Sequence, residues 1–139
     1  MRKHAFQLSS DDDLILLEAS VNGYPLVLAL DTAASQTVID WNALVLAGCS
    51  LPHENDIVDT VPVETAAGIM AVPIYNIESF STLDISQPNF SVLTYDFLAK
   101  GLISPYDGVL GIDFFRHQWI LTIDFIEEQL WITRSKKTK

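Results

Sequence analysis

Short apolar runs rich in β-branched residues alternate with turn-forming residues along most of the chain. Leu14 to Val21 reads as a strand. Asn22-Gly23 follows it, a strong hairpin signal, because a type I′ turn needs positive φ at both central residues. Tyr24 to Leu30 is the return strand, with Pro25 near its start, where a missing donor is tolerated. Thr37-Val38-Ile39 gives a short strand, and Asp40 is an N-cap for a helix over Trp41 to Ala47 that Gly48 stops. Ile57 to Thr65 and Ile69 to Ser79 are β-rich runs joined by Ala66, Ala67 and Gly68, small enough to form a bending hairpin tip.

The second half continues in the same style. Thr82 to Pro88 alternates loosely and leads into a strand over Phe90 to Tyr95. Asp96 to Leu102 forms a helical turn ended by Gly101, and Pro105 to Gly108 is turn chemistry. Val109 and Leu110 make a short strand, Ile112 to His117 a short helix. Trp119 to Phe125 and Leu130 to Thr133 read as a closing hairpin. Many short strands with one or two short helices predict a mainly β fold. The organisation expected is a loose lead-in over 1–13, one domain over 14–133 and a basic tail over 134–139.

Composition narrows the function classes. Hydrophobic residues make up 49% of the 139 positions and charged ones 19%, which excludes a disordered chain. The net charge of −10 disfavours phosphate backbones and anionic membranes, so neither nucleic acid nor membrane is an expected partner. No apolar stretch approaches the ~20 residues of a membrane span, and the first residues lack the apolar segment of a secretory signal. A single cysteine, Cys49, excludes an internal disulfide framework, fits a reducing cytoplasmic setting and reads as a small buried hydrophobe. His4, His53 and His117 are isolated from one another, so no metal site is expected. The three tryptophans with Phe90, Phe114 and Phe125 are most simply core.

The candidate chemistry lies at Asp31-Thr32-Ala33-Ala34-Ser35, directly after the apolar run Leu26 to Leu30. An acid closing a buried strand sits partly out of water, and the small residues after it allow a tight turn and close approach of another group. From these residues alone, an Asp that simply opens a turn is an equally fair reading.

Leu30 to Ser35 resembles the Asp-Thr-Gly-Ala-Ser signature of aspartic proteases of the retropepsin type. Gly108-Val109-Leu110-Gly111-Ile112-Asp113-Phe114-Phe115 resembles that family's second landmark, an apolar pair and a glycine leading into a short helix. The resemblance spans roughly residues 14 to 133. It implies a retropepsin-like acid protease half-barrel active as a two-fold dimer, hydrolysing a peptide or protein substrate without a cofactor. On that resemblance Asp31 is the catalytic acid, and Thr32 makes interlocking hydroxyl contacts beneath the pair. Ser35 supports the Asp31 carboxylate by a hydrogen bond. The hairpin tip at Ala66, Ala67 and Gly68 corresponds to the flap over substrate. Val109, Leu110 and Gly111 are structural beside the site.

Hydrolysis by carboxylates needs two of them sharing one proton, and the chain carries one good copy of the motif. Asp59-Thr60-Val61, Asp113-Phe114-Phe115 and Asp124-Phe125 lack the small residues that follow Asp31. The second Asp31 is therefore expected from a second chain across a two-fold axis. One position departs from the family pattern: Ala33 stands where glycine is usual. It favours a rival reading, a dimeric module that binds an extended peptide or partner and hydrolyses little or nothing. Joint retention of Asp31, Thr32 and Ser35 favours the enzyme.

Overall fold

The computed structural model describes residues 2–9, 13–51, 60–65 and 68–136. In chain order it contains β1 (His4–Ala5), β2 (Gln7–Leu8), β3 (Ile15–Val21), β4 (Tyr24–Leu30), β5 (Val38–Asp40) and α1 (Trp41–Leu46). There follow β6 (Thr60–Thr65), β7 (Gly68–Thr82), β8 (Ile85–Tyr95), β9 (Gly108–Leu110), β10 (Trp119–Asp124) and β11 (Gln129–Arg134). Single 3₁₀ turns occupy Leu98–Lys100 and Ile112–Phe114.

Alternation explains the strands. In β3 the residues Ile15, Leu17, Ala19 and Val21 are buried, while Leu16, Glu18 and Ser20 point to the other face. Asn22 and Gly23 both take positive φ and return the chain into β4, as the Asn-Gly signal predicts. β4 pairs antiparallel with β3 and parallel with β9, so its last three residues are buried on both sides. β9 also pairs with β5, β5 with β8 and β8 with β7. β7 closes the circuit by pairing back to β3 through Ala19↔Thr82, Ser20↔Ser81 and Val21↔Phe80. Six strands thus form a closed barrel, which removes the open edges of a sheet. β2 extends it beside β3, β6 beside β7, and β1, β11 and β10 make a separate three-stranded sheet.

The core holds Leu28, Ile39, Ile77, Phe80, Leu110 and Leu130, all fully buried. Phe80 stacks on Phe90 at 4.9 Å, and Phe114 meets both edge-on at 5.6 and 5.9 Å. These are favourable aromatic geometries. Cys49 is buried, and burial pushes its thiol pKa up, which keeps it protonated and inert. Asp40 caps α1 as the sequence predicts, its carboxylate accepting from the Asn42 amide.

Three expectations need correction. The lead-in is not loose where it is described: β1 pairs with β11 and β2 with β3, and Phe6 between them is 5% exposed. One buried aromatic among polar neighbours carries no periodicity, so the pattern hid both strands. The strand read from Phe90 starts earlier, at Ile85, after a tight turn with Leu83 and Asp84 at positive φ between β7 and β8. Leu is a poor residue for that backbone region, which is why the turn was illegible. Phe125 is 64% exposed at the β10–β11 turn rather than in the core, in a T-shaped contact with Phe6. Residues 137–139 of the expected basic tail lie outside the described residues, and Arg134, its first member, closes β11 and sits over the Trp119 ring. Among the described residues no helix is long and apolar enough to cross a membrane.

Candidate active site

Asp31 follows the last residue of β4, where the hairpin delivers it to a strand end. Leu30 pairs with Leu110, and the Asp31 amide continues that ladder by donating to the Leu110 carbonyl at 3.0 Å. The chain then turns sharply. The Ala33 amide donates to Asp31 Oδ1 at 3.0 Å, and the Ala34 amide to the Asp31 carbonyl at 3.1 Å. This is an Asx turn, in which a short acidic side chain stands in for backbone. Asp31 itself is half-buried, with Thr32, Ala33 and Ser35 exposed around it.

The segment after β9 crosses beneath this loop. The Ile112 amide donates to the Ala34 carbonyl at 2.9 Å, and the Gly111 amide to Thr37 Oγ1 at 3.0 Å. A Cβ on Gly111 would lie 2.8 Å from the Ala34 oxygen and 2.8 Å from the Gln36 carbonyl carbon, so only glycine permits the crossing. Asp113 completes the contact, accepting from the Thr37 amide at 3.0 Å and from Thr37 Oγ1 at 2.8 Å.

Beside β9 a cavity of about 580 Å³ is lined mainly by Tyr95, Phe97, Leu102, Ile103, Pro105, Tyr106 and Val109. Burial, with the Asp40 carboxylate nearby, pushes the Tyr95 pKa up, so its hydroxyl stays neutral well above neutral pH. Ile103 is 93% exposed at the cavity's rim. Among the described residues no group of three or more His, Cys, Asp or Glu is placed to hold a metal ion.

The sequence model of a family described as aspartyl protease matches residues 17–114, from β3 through Asp31 and the crossing segment. The chain belongs to the aspartyl protease family. Its fold also matches the crystal structure of a retropepsin-like aspartic protease from Rickettsia conorii. That match has a TM-score of 0.67 over 96% of this chain and 94% of that one, at 15% identity. No curated protein matches the chain.

The structure positions the expected site residues unevenly. Asp31 bonds directly to the Leu110 carbonyl, and Gly111 lies against Ala34 and Gln36 of the loop that follows Asp31. Leu110 is fully buried packing, whereas Val109, expected to pack in the same way, lines the cavity, because neighbours on a strand face opposite sides. Among the described residues the Asp31 carboxylate accepts from the Ala33 amide and not from the Ser35 hydroxyl, which is exposed. The Asx turn puts the amide two residues on within reach and carries Ser35 away. Ala33 is absent from the positive-φ positions, so its methyl costs no backbone strain, and it points to an exposed surface. Gly68 opens β7 at φ 116, where glycine is favoured, while Ala66 and Ala67 lie outside the described residues.

Sequence reasoning missed two acids that hold this region together. Asp113 reads in the sequence as a failed copy of the Asp31 motif and as an unassigned member of the second landmark, yet it fastens the loop after Asp31. Asp107 accepts from the Val27 amide at 2.9 Å, and its own amide donates to the Val27 carbonyl at 2.7 Å, tying the turn before β9 to β4. Both lie within two residues of a glycine that nothing larger could replace without collision, a signal available in the Gly108 to Asp113 string.

Proposed function

We propose that this protein is a homodimeric aspartic endopeptidase in which Asp31 of each chain supplies one carboxylate of a dyad. The observation that carries the reading is the placement of Asp31. It is a half-buried acid at a strand end, in a turn of small residues held by the segment after β9. One chain contributes one such acid, so the unit of function is a pair related by a two-fold axis. Thr32, exposed next to Asp31, is available to the partner's loop for the interlocking hydroxyl contacts the family resemblance implies.

Two carboxylates at short range cannot both ionise, so at working pH the pair holds one proton, as is established for aspartic-protease dyads. The ionised member takes a proton from a water molecule whose oxygen attacks the peptide carbonyl carbon. The protonated member gives its proton to the carbonyl oxygen. Collapse of the tetrahedral diol transfers a proton to the amide nitrogen, breaks the C–N bond and restores the shared proton. Neither a metal nor a cofactor is needed. The substrate is an extended peptide under the β6–β7 hairpin, whose second strand begins at Gly68, and the cavity beside Val109 takes one apolar side chain of it. We place the enzyme in the cytoplasm, where a lone buried thiol needs no oxidising partner.

Digestion of a mixed peptide library from mildly acid to neutral pH, with Asp31→Asn alongside, tests this. The proposal expects cleavage at apolar positions that the variant lowers by about 10²- to 10⁴-fold, with dimer and fold retained. Equal cleavage by both proteins sinks it. No cleavage by either, from a confirmed dimer, favours the peptide-binding module.

A further inference from the structure

The Asp31 loop is fastened at two ends by one short segment. At the near end lie the Asp31 amide on the Leu110 carbonyl and the Ala34 carbonyl on the Ile112 amide. At the far end lies Thr37, fully buried, whose amide and hydroxyl bond to Asp113 and Gly111 and whose carbonyl accepts from the Leu93 amide at 2.9 Å. The Thr37 hydroxyl has one proton, and it donates this to Asp113 Oδ1. Its lone pairs are thereby turned to the Gly111 amide. Asp113 Oδ2 accepts the Thr37 amide at the same time, so one carboxylate holds a single residue through two separate bonds. Charged acceptors make the stronger hydrogen bonds, and burial of Thr37 keeps water from competing.

Asp113 is itself fixed. It sits in the 3₁₀ turn Ile112–Phe114, and Phe114 is wedged among Phe80, Phe90 and Phe115. The path from barrel core to Asp31 therefore runs through Phe114, Asp113, Thr37 and the loop. Resting on the proposed dyad, we propose that Asp113 is its positioning residue, setting through Thr37 the spacing at which the two Asp31 carboxylates meet. Its carboxylate takes no part in the chemistry. A dyad is sensitive to such spacing, because the split between its two apparent pKa values shrinks as the acids move apart. Displacements of about 1 Å cost up to about 10²-fold in rate.

Asp113→Asn keeps one acceptor and Thr37→Val keeps the amide, so each removes one of the two bonds to Asp113, Thr37→Val also freeing the Gly111 amide, while Thr37→Ser keeps all three. Amide hydrogen exchange, kcat, KM and the pH profile of kcat/KM are measured on the dimer. Asp113→Asn and Thr37→Val should speed exchange across residues 31–37 with the rest of the barrel unchanged. They should lower kcat by tenfold to about 10²-fold at similar KM and draw the two limbs of the pH profile together. Thr37→Ser should restore the parent behaviour. Unchanged exchange in that loop, or exchange raised uniformly with an unaltered pH profile, overturns the proposal, the latter because it marks a purely structural role. If the parent protein does not cleave, the dyad reading fails, and loop exchange still decides whether Asp113 holds the loop.

Discussion

Two short connections in this molecule each present a carboxylate, and they are built in opposite ways. The Asp31 loop contains no residue at positive φ, and its ends are tied by backbone amides, a buried threonine and the Asp113 carboxylate. The β7–β8 turn puts Leu83 at φ 54, disfavoured for its side chain, beside Asp84 at φ 63, a region Asp tolerates. Asp84 is held from outside by Arg2 at 2.8 Å and His4 at 3.7 Å, with the Arg2–Asp84 pair largely exposed. Strain often gathers at functional sites. Here the candidate site is relaxed and heavily fastened, and the strain sits in a surface hairpin. Chemistry that depends on the spacing of two carboxylates gains from a rigid frame. A turn that only reverses the chain needs no such precision, and burial of Leu83 compensates its backbone.

The contrast predicts unequal sensitivity. Gly111→Ala should have the largest effect, because its Cβ would press on the Ala34 and Gln36 backbone beneath the loop. We expect a loss of about 1–3 kcal/mol in denaturant unfolding and a fall in peptide cleavage beyond what unfolding explains. A neutral Gly111→Ala would show that the loop is not tightly held. Asp84→Asn should do least. Asparagine also tolerates the left-handed region, and the exposed ion pair it removes contributes at most about 1 kcal/mol. Its cleavage rate should match the parent's, and a matching loss of cleavage would erase the distinction between the regions.

The sequence disclosed the candidate site better than its supports. The Leu26 to Leu30 run, the small residues after Asp31 and the Asn-Gly turn are local signals, so β3, β4 and the strand-end acid were all legible. Asp113 was not, because its role depends on a contact with Thr37 across 76 positions that no local pattern encodes. Barrel closure through β3 and β7 is equally non-local. β1 and β2 are only two residues each, too short to show alternation. The resemblance supplied Ser35 as the group supporting the carboxylate, and the Asx turn gives that place to the Ala33 amide.

The claim that the functional unit needs Asp31 from both chains is tested most directly by mixing. Parent protein and Asp31→Asn are combined in varying ratio at constant total concentration, allowed to exchange subunits, and assayed on one cleaved peptide. A shared dyad predicts that activity falls as the square of the parent fraction, since only parent–parent dimers carry two carboxylates. A linear fall under full exchange would mean that each chain works alone, and would contradict the account.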